Sequence, residues 1–406
     1  MTTTLRENCR ACAGSMTDVL SLGDIIPVDF IAEGEEIRAT APLTLAQCDA
    51  CDLVQLRHTV HRDTLYRHYW YLSGLNPSMV DALHDVQSGI RKRIDLHDGD
   101  TVIDIGANDG TLLSFYPEGV IRVGFDPALN LAEQAESRCD RFINDYFETS
   151  DVEILEAKVI TSIAMFYDLE DPGLFLRKIA NELRPNGIWV MQMTDLVRMM
   201  KANAFDNICH EHLCYYPFGV FKRLAEKFGL EVFDVEFNDV NGGSIRCYVG
   251  HREQRVVQES VDEALREEDA YLTDDAMRKF ATRVEDAKNK IVSFVHEQRA
   301  AGKTFHALGA STKGNTLLQY FGLTSREIEM AAEVNASKYG LRMVGSDVPI
   351  VSQEASLAAK PDYYLVLPWH FTKFFLKSQA AYLASGGQLL APLPEPTIHA
   401  YHAKHL

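Results

Sequence analysis

At 406 residues, with 46% apolar content and a formal net charge of −18, the chain is too long for one ordinary core and apolar enough to fold throughout. The acidic balance argues against a nucleic-acid partner, because phosphate binding needs clustered Lys and Arg. No apolar run approaches the roughly 20 residues of a spanning helix and the N-terminus lacks a signal-peptide core, so no membrane partner and a cytoplasmic location are expected.

The first segment holds "CRAC" and "CDAC", whose Cys9, Cys12, Cys48 and Cys51 form two C-x-x-C pairs. In a reducing compartment that pattern reads as a zinc ribbon, two knuckles bringing four thiolates to one tetrahedral ion, with redox chemistry as the competing reading. An aromatic, turn-rich stretch, "LYRHYWYLSGLNPSM", then leads into a helix predicted from about Pro77 to about Ile94.

Strands and helices alternate from there, the pattern of a parallel sheet with crossover helices. "DTVIDIG", "IRVGFD", "RFIND", "KVITSIAMF" and "GIWVMQM" read as its strands, followed by "LEVFDVEF" and "SIRCYVG" after an insertion. The first strand ends in Asp104, and Gly106, Asn108, Asp109 and Gly110 form the turn into the next element. Such glycines let backbone approach a ligand at the sheet edge where nucleotides bind, and Asp126 after the next strand is placed to meet ribose hydroxyls. Nicotinamide dinucleotides and S-adenosylmethionine share this geometry. An acidic turn disfavours pyrophosphate and suits a cationic sulfonium, so S-adenosylmethionine is favoured and the dinucleotide is the alternative. Asn144 and Asp145, at the end of the third strand, are placed to reach the adenine.

The insertion carries "FDNICHEHLCYY". His210 and His212 stand two apart, so on a helix they would face different sides and could not jointly hold a metal. As acid/base equipment His210, Glu211 and His212 make sense, with packed or surface histidines as the bland reading. Methylation of a carbon next to a ketone requires loss of a proton and a donor opposite the enolate oxygen, a task this cluster suits.

Charged helical patterns run from about 256 to 301, and "FHALGASTKGN" then opens a second strand-turn-helix unit. "DYYLVLPW" and "GGQLLAPL" read as later strands of a second sheet. Lys313 precedes the final glycine of the turn, so this is not a P-loop, but free N–H groups at a helix start beside Lys313 and Asn315 make a diphosphate cradle. A structural turn capping the helix is the alternative.

Taken in order, "CxxC…CxxC", "YWYLSGLNPSM", "DIGANDGTLL", "FDNICHEHLCYY", "NDVNGGSIRCYV", "GASTKGNTLLQY" and "PDYYLVLPWHF" make the chain similar to the sugar C-methyltransferases that act on nucleotide-linked 4-keto deoxysugars, over almost its whole length. The resemblance implies an α/β architecture in three parts. These are a zinc-ribbon module (1–75), a class I, Rossmann-like S-adenosylmethionine domain (76–255) and a second Rossmann-like domain (256–406) that helps hold the nucleotide sugar. It further implies catalytic roles for Glu211 and His212 and a substrate-facing aromatic, Tyr71. Two departures stand out: Cys209 replaces a tyrosine of the family, and Phe166 stands at or near the position of a histidine proposed as its base. His210 or His212 with Glu211 is then the expected base, with oxygen methylation as the alternative chemistry and an NAD-dependent sugar oxidoreductase as the remoter one. The expected partner is a nucleotide-diphosphate sugar, and the chain is expected to be a monomer or weak homodimer.

Overall fold

The computed structural model describes residues 3–35 and 39–401. Its centre is a seven-stranded sheet in the order Leu230–Asn238, Ser244–His251, Leu183–Thr194, Ala157–Ile163, Thr101–Ile105, Ile121–Phe125, Arg141–Ile143. Six of these strands run parallel, and Ser244–His251 runs against both of its neighbours. The middle strands are buried along nearly their whole length, so Thr101–Ile105 and Ala157–Ile163 show no alternation of buried and exposed residues. This is the class I methyltransferase arrangement expected from the sequence.

The helix Pro77–Arg91 leads into this sheet, starting from an Asn76 side chain that accepts the Ser78 N–H. Two helices leave it: Glu259–Tyr271, and Ala276–Ala300, whose buried stripe of Phe280, Val284, Ala287, Ile291 and Val295 recurs every three or four residues. They lead into an eight-stranded sheet built on parallel strands Phe305–Leu308, Tyr363–Val366, Ala331–Glu333 and Val348–Ser352.

Two very short strands tie the parts together. Phe30–Ile31, from the N-terminal segment, pairs with Arg342–Met343 at the edge of the C-terminal sheet. The Gln319 side chain clamps the adjoining backbone, accepting from Ile26 N at 2.9 Å and donating to Ile26 O at 3.0 Å. Cys214–Tyr215, from the central insertion, pairs with Val54–Leu56 at the edge of the N-terminal sheet, whose other strands are Ala41–Cys48 and Met16–Ile25. No helix among the described residues is long and apolar enough to cross a membrane.

Candidate active site

The strand Thr101–Ile105 delivers Asp104 and Gly106 to the rim of a cavity of about 660 Å³, within the usual range for small-molecule sites. Gly106 has φ +71, and a Cβ there would sit 3.1 Å from Met165 Cγ, so only glycine fits this turn. The Thr161 hydroxyl donates to Asp104 Oδ1 at 2.6 Å, yet burial, with Asp126 nearby, pushes the carboxyl up to about 7. Asp126 accepts from Asn108 N at 2.8 Å and Ala128 N at 2.9 Å, and burial raises it as well. Among the described residues no Lys, Arg or His contributes to either shift, so a cation bound beside Asp104 and Asp126 would meet two carboxyls with no competing cationic partner.

Asn108 also lines the cavity, with its amide clamped between Tyr71 O and Ser73 N. Asp109 and Gly110 do not. Arg138 Nη1 lies 3.0 Å from Asp109 Oδ2, and Gly74 N donates to that same oxygen at 2.9 Å, so the charge is neutralised on the far side of the turn. Gly110 packs against Ala135 and Arg138. The acidity that suits a sulfonium therefore comes from Asp104 and Asp126 rather than from Asp109. Asn144 likewise faces away from the cavity, its amide holding the Asp126 and Ala128 carbonyls, whereas Asp145 reaches the mouth beside Arg67. Tyr71 lines the wall and is 37% exposed, so it stands at the opening.

Across the cavity, residues 209–213 form a turn between the 3-10 helix Phe205–Asn207 and the strand Cys214–Tyr215, held by a Leu56 N–H donating to Leu213 O at 2.8 Å. Glu211 and His212 line the cavity; His210 does not. His210 Nε2 lies 3.1 Å from Ala41 O, against the N-terminal sheet, and burial lowers the imidazole to about 4. It is a packing residue, which removes one of the two expected bases. His212 Nδ1 lies 2.7 Å from Asn207 O; a carbonyl only accepts, so Nδ1 carries the proton and Nε2 offers its lone pair. Burial, then the charge of Lys313, pushes that imidazole down to about 3, so it is neutral at pH 7. The Tyr167 ring packs 4.3 Å from it, and the Tyr66 hydroxyl donates to Glu211 O at 2.6 Å.

Phe166 does not reach the cavity. It is fully buried in an aromatic cluster with Phe175, Trp189, Tyr216 and Phe221. From the same turn Met165, Tyr167 and Asp168 line the cavity, and burial followed by the charge of Glu211 raises Asp168 far above the usual carboxylate range. Asp168, Tyr66, Tyr69, Tyr167 and Asn207 had not been singled out in the sequence. A signal for Asp168 existed in "MFYDLEDP", an acid just past the carboxyl end of a parallel strand.

The C-terminal unit closes the cavity with Ser311, Thr312, Lys313, Lys338 and His370. Ser311 caps the helix Thr312–Phe321 by accepting from Gly314 N at 3.0 Å, which leaves the helix start facing the cavity. Lys313 Nζ donates to Asn207 Oδ1 at 2.6 Å and retains two further protons for a ligand. Asn315 points elsewhere, its amide donating to Asp29 O at 3.1 Å, so it joins the N-terminal and C-terminal parts and does not bind in the cavity.

The thiols of Cys9, Cys12, Cys48 and Cys51 converge within 4.8 Å of one another, and all four are free. Cys9 and Cys51 sulfurs are 3.7 Å apart and Cys12 and Cys48 sulfurs 3.5 Å apart, close to the roughly 3.8 Å edge of a tetrahedron with 2.3 Å zinc–sulfur bonds. Ala11 N donates to Cys9 Sγ and Ala50 N to Cys48 Sγ, the backbone bonds of a knuckle. The donor set fits zinc.

Family models match consecutively along the chain: a zinc binding domain at 9–66, a methyltransferase domain at 82–235 and a C-methyltransferase C-terminal domain at 239–394. The chain is 32% identical to the C-methyltransferase NovU of Streptomyces niveus, over 97% of this chain and 96% of that one. Among solved structures, a SAM-dependent methyltransferase from Aquifex aeolicus aligns over 43% of this chain and 93% of its own, with 16% identity and a TM-score of 0.34. One from Mesorhizobium loti covers 40% and 95%, with 11% identity and a TM-score of 0.35. Those two scores are too low to bear on the assignment, which rests on the full-length relative and the three models. The chain belongs to the S-adenosylmethionine-dependent C-methyltransferases, with a zinc-binding module at its N-terminus.

Proposed function

We propose that the enzyme methylates a carbon adjacent to the ketone of a nucleotide-diphosphate-linked 4-keto deoxysugar. One observation supports this reading: a single cavity is lined by the buried carboxyls Asp104 and Asp126, by Glu211 and His212, and by Lys313 at a helix start. S-adenosylmethionine supplies an electrophilic methyl group at the carboxyl-lined end. Asp126 is assigned to the ribose hydroxyls, Gly106 and Asp104 to the amino-acid tail, and Asp145 to the outer face of the nucleoside. Lys313 and the N–H groups behind Ser311 and Thr312 suit a diphosphate in a protein that is otherwise acidic. Glu211 and His212 face the stretch where the acceptor carbon would lie, and Tyr71 guards the opening where it can donate to the ketone oxygen.

Incubation with a panel of dTDP- and GDP-linked 4-keto sugars, beside the same sugars without the nucleotide diphosphate, tests the reading. The expected product gains one methyl, located on carbon by NMR. A methyl found on oxygen, or turnover restricted to acceptors without a diphosphate, would refute it.

A further inference from the structure

We propose that Gln192 is a catalytic residue of the methyl transfer, its side-chain N–H groups donating to the acceptor's ketone oxygen as that oxygen gains the enolate charge. The inference rests on the carbon-methylation reading above and goes beyond it by naming a group that holds the developing anion.

Gln192 lies near the carboxyl end of the strand Leu183–Thr194, is 3% exposed and lines the cavity. Arg246 Nε donates to Gln192 Oε1 at 2.8 Å, and Asn238 Nδ2 donates to the same oxygen at 3.0 Å. A guanidinium can only donate, so the atom facing it is the carbonyl oxygen of the amide. Asn238 is fixed in turn, because its own Oδ1 accepts from Val240 N at 3.0 Å. Arg246 is held at its other nitrogens, Nη1 donating to Glu236 at 3.2 Å and Nη2 to Asp85 at 2.9 Å. Both lone pairs of the Gln192 carbonyl are thus occupied, and a flipped amide would set donor against donor. Gln192 Nε2 has no hydrogen-bond partner among the described residues, and unlike Gln55 Nε2 and Gln87 Nε2 it is not sealed off. Its two N–H groups are left for a ligand in the cavity.

Sheet order sets which part of the bound ligands those groups meet. Gln192 pairs with Ile163, and the adjacent Ser162 pairs with Ile105, so Gln192 stands two strands from the Gly106 turn, roughly 10 Å away. Asp126 and Asp145, assigned to the nucleoside, follow the strands on the other side of that turn. A methyl donor laid from Gly106 toward Asp126 leaves the strand end at Gln192 to the acceptor. An uncharged amide does not repel the sulfonium, and its bond from Arg246 polarises it, which strengthens its N–H groups toward an anion more than toward a ketone. As the proton leaves the carbon next to the ketone for the turn bearing Glu211 and His212, the C–H pair forms the C=C bond. The carbonyl π pair moves onto oxygen, where Nε2–H meets it; Tyr71 offers that oxygen a second donor. The oxygen pair then re-forms the ketone, the C=C pair makes the new bond to the methyl carbon, and the methyl–sulfur pair leaves on the neutral thioether. Gln192 neither gains nor loses a proton.

The test is solvent deuterium exchange into the acceptor carbon, with S-adenosylhomocysteine bound, beside steady-state methyl transfer, using the turned-over member of the 4-keto sugar panel. Gln192→Glu keeps the bonds from Arg246 and Asn238 and removes both N–H groups. It should lower exchange and kcat together by roughly a hundredfold, change the acceptor KM by less than about fivefold and bind S-adenosylhomocysteine within about threefold of wild type. Gln192→Met removes the donors without adding a charge and should also lower exchange by tenfold or more. If either folded variant kept more than a tenth of the wild-type exchange rate, the assignment would be overturned and carbon methylation left standing. A loss confined to S-adenosylhomocysteine affinity would likewise overturn it, by placing the amide on the methyl donor. No exchange in the wild-type enzyme together with an O-methyl product would overturn both readings. If Gln192→Met does not fold, judged by thermal melting, Gln192→Glu decides by the same thresholds.

Discussion

Asp104 is a carboxyl held near neutrality in the place where a positive ligand is expected. With its folded value at about 7, it is largely protonated at pH 6 and largely ionised at pH 8. A cation beside it favours the carboxylate and lowers its value in the complex, so binding of S-adenosylmethionine should release protons around pH 7 and tighten as pH rises through that range. Calorimetry in two buffers of different ionisation enthalpy should show the release, and affinity at pH 5 should be about tenfold or more below that at pH 8. In Asp104→Asn the pH dependence should vanish. Asp104, Gly106 and Asp126 could be found in the sequence because the ends of parallel strands must face the ligand edge of such a sheet. Adjacent residues could not be sorted this way. Asp109, His210, Asn144 and Asn315 lie within a few positions of cavity residues, but which way a side chain leaves a turn depends on partners such as Arg138, Ala41 and Asp29, distant in sequence. Phe166 drew notice by its position, while Asp168, two residues on, is the residue of that turn whose carboxyl lines the cavity.

Among elements, the helix Phe218–Glu226 begins at Pro217, which offers no capping side chain. Its first N–H groups, from Phe218 and Gly219, are instead taken by Glu268, reaching across from the helix Glu259–Tyr271. Glu268→Ala strips that cap and leaves buried donors unsatisfied, which should cost about 1–3 kcal/mol and appear as a lowered denaturation midpoint with an unchanged m-value. Burial, opposed by those two N–H groups, holds Glu268 at about 7, above its usual value, so the folded state binds the extra proton between roughly pH 4.5 and 7. The contribution of Glu268 to stability should thus be fullest below that window and fade as pH climbs through it. The long strands and helices were legible from their hydrophobic period, and the paired C-x-x-C motifs from their spacing. The two-residue strands Phe30–Ile31 and Cys214–Tyr215 are too short to show any period, and this remote cap has no local signature at all.

Across the molecule, Cys48 and Cys51 lie at the turn of the hairpin formed by Ala41–Cys48 and Val54–Leu56, whose second strand pairs with Cys214–Tyr215 just after Glu211 and His212. Removing the metal by chelation, or Cys48→Ser, should therefore do more than lower the melting temperature. Methyl transfer should fall at least tenfold, more than binding of S-adenosylhomocysteine, because the acid/base turn loses its backing while the Gly106 cradle keeps its own. Retained activity in a zinc-free, folded protein, measured by metal analysis and product formation together, would refute this.

That shared strand also bears on how such enzymes can be recombined. Exchanging the first sixty residues between two relatives replaces the wall behind the reacting groups as well as a metal-binding appendage. Chimaeras cut at that border should inherit acceptor preference from both parents, and a central fragment expressed alone should bring its donor pocket but lack a properly seated Glu211.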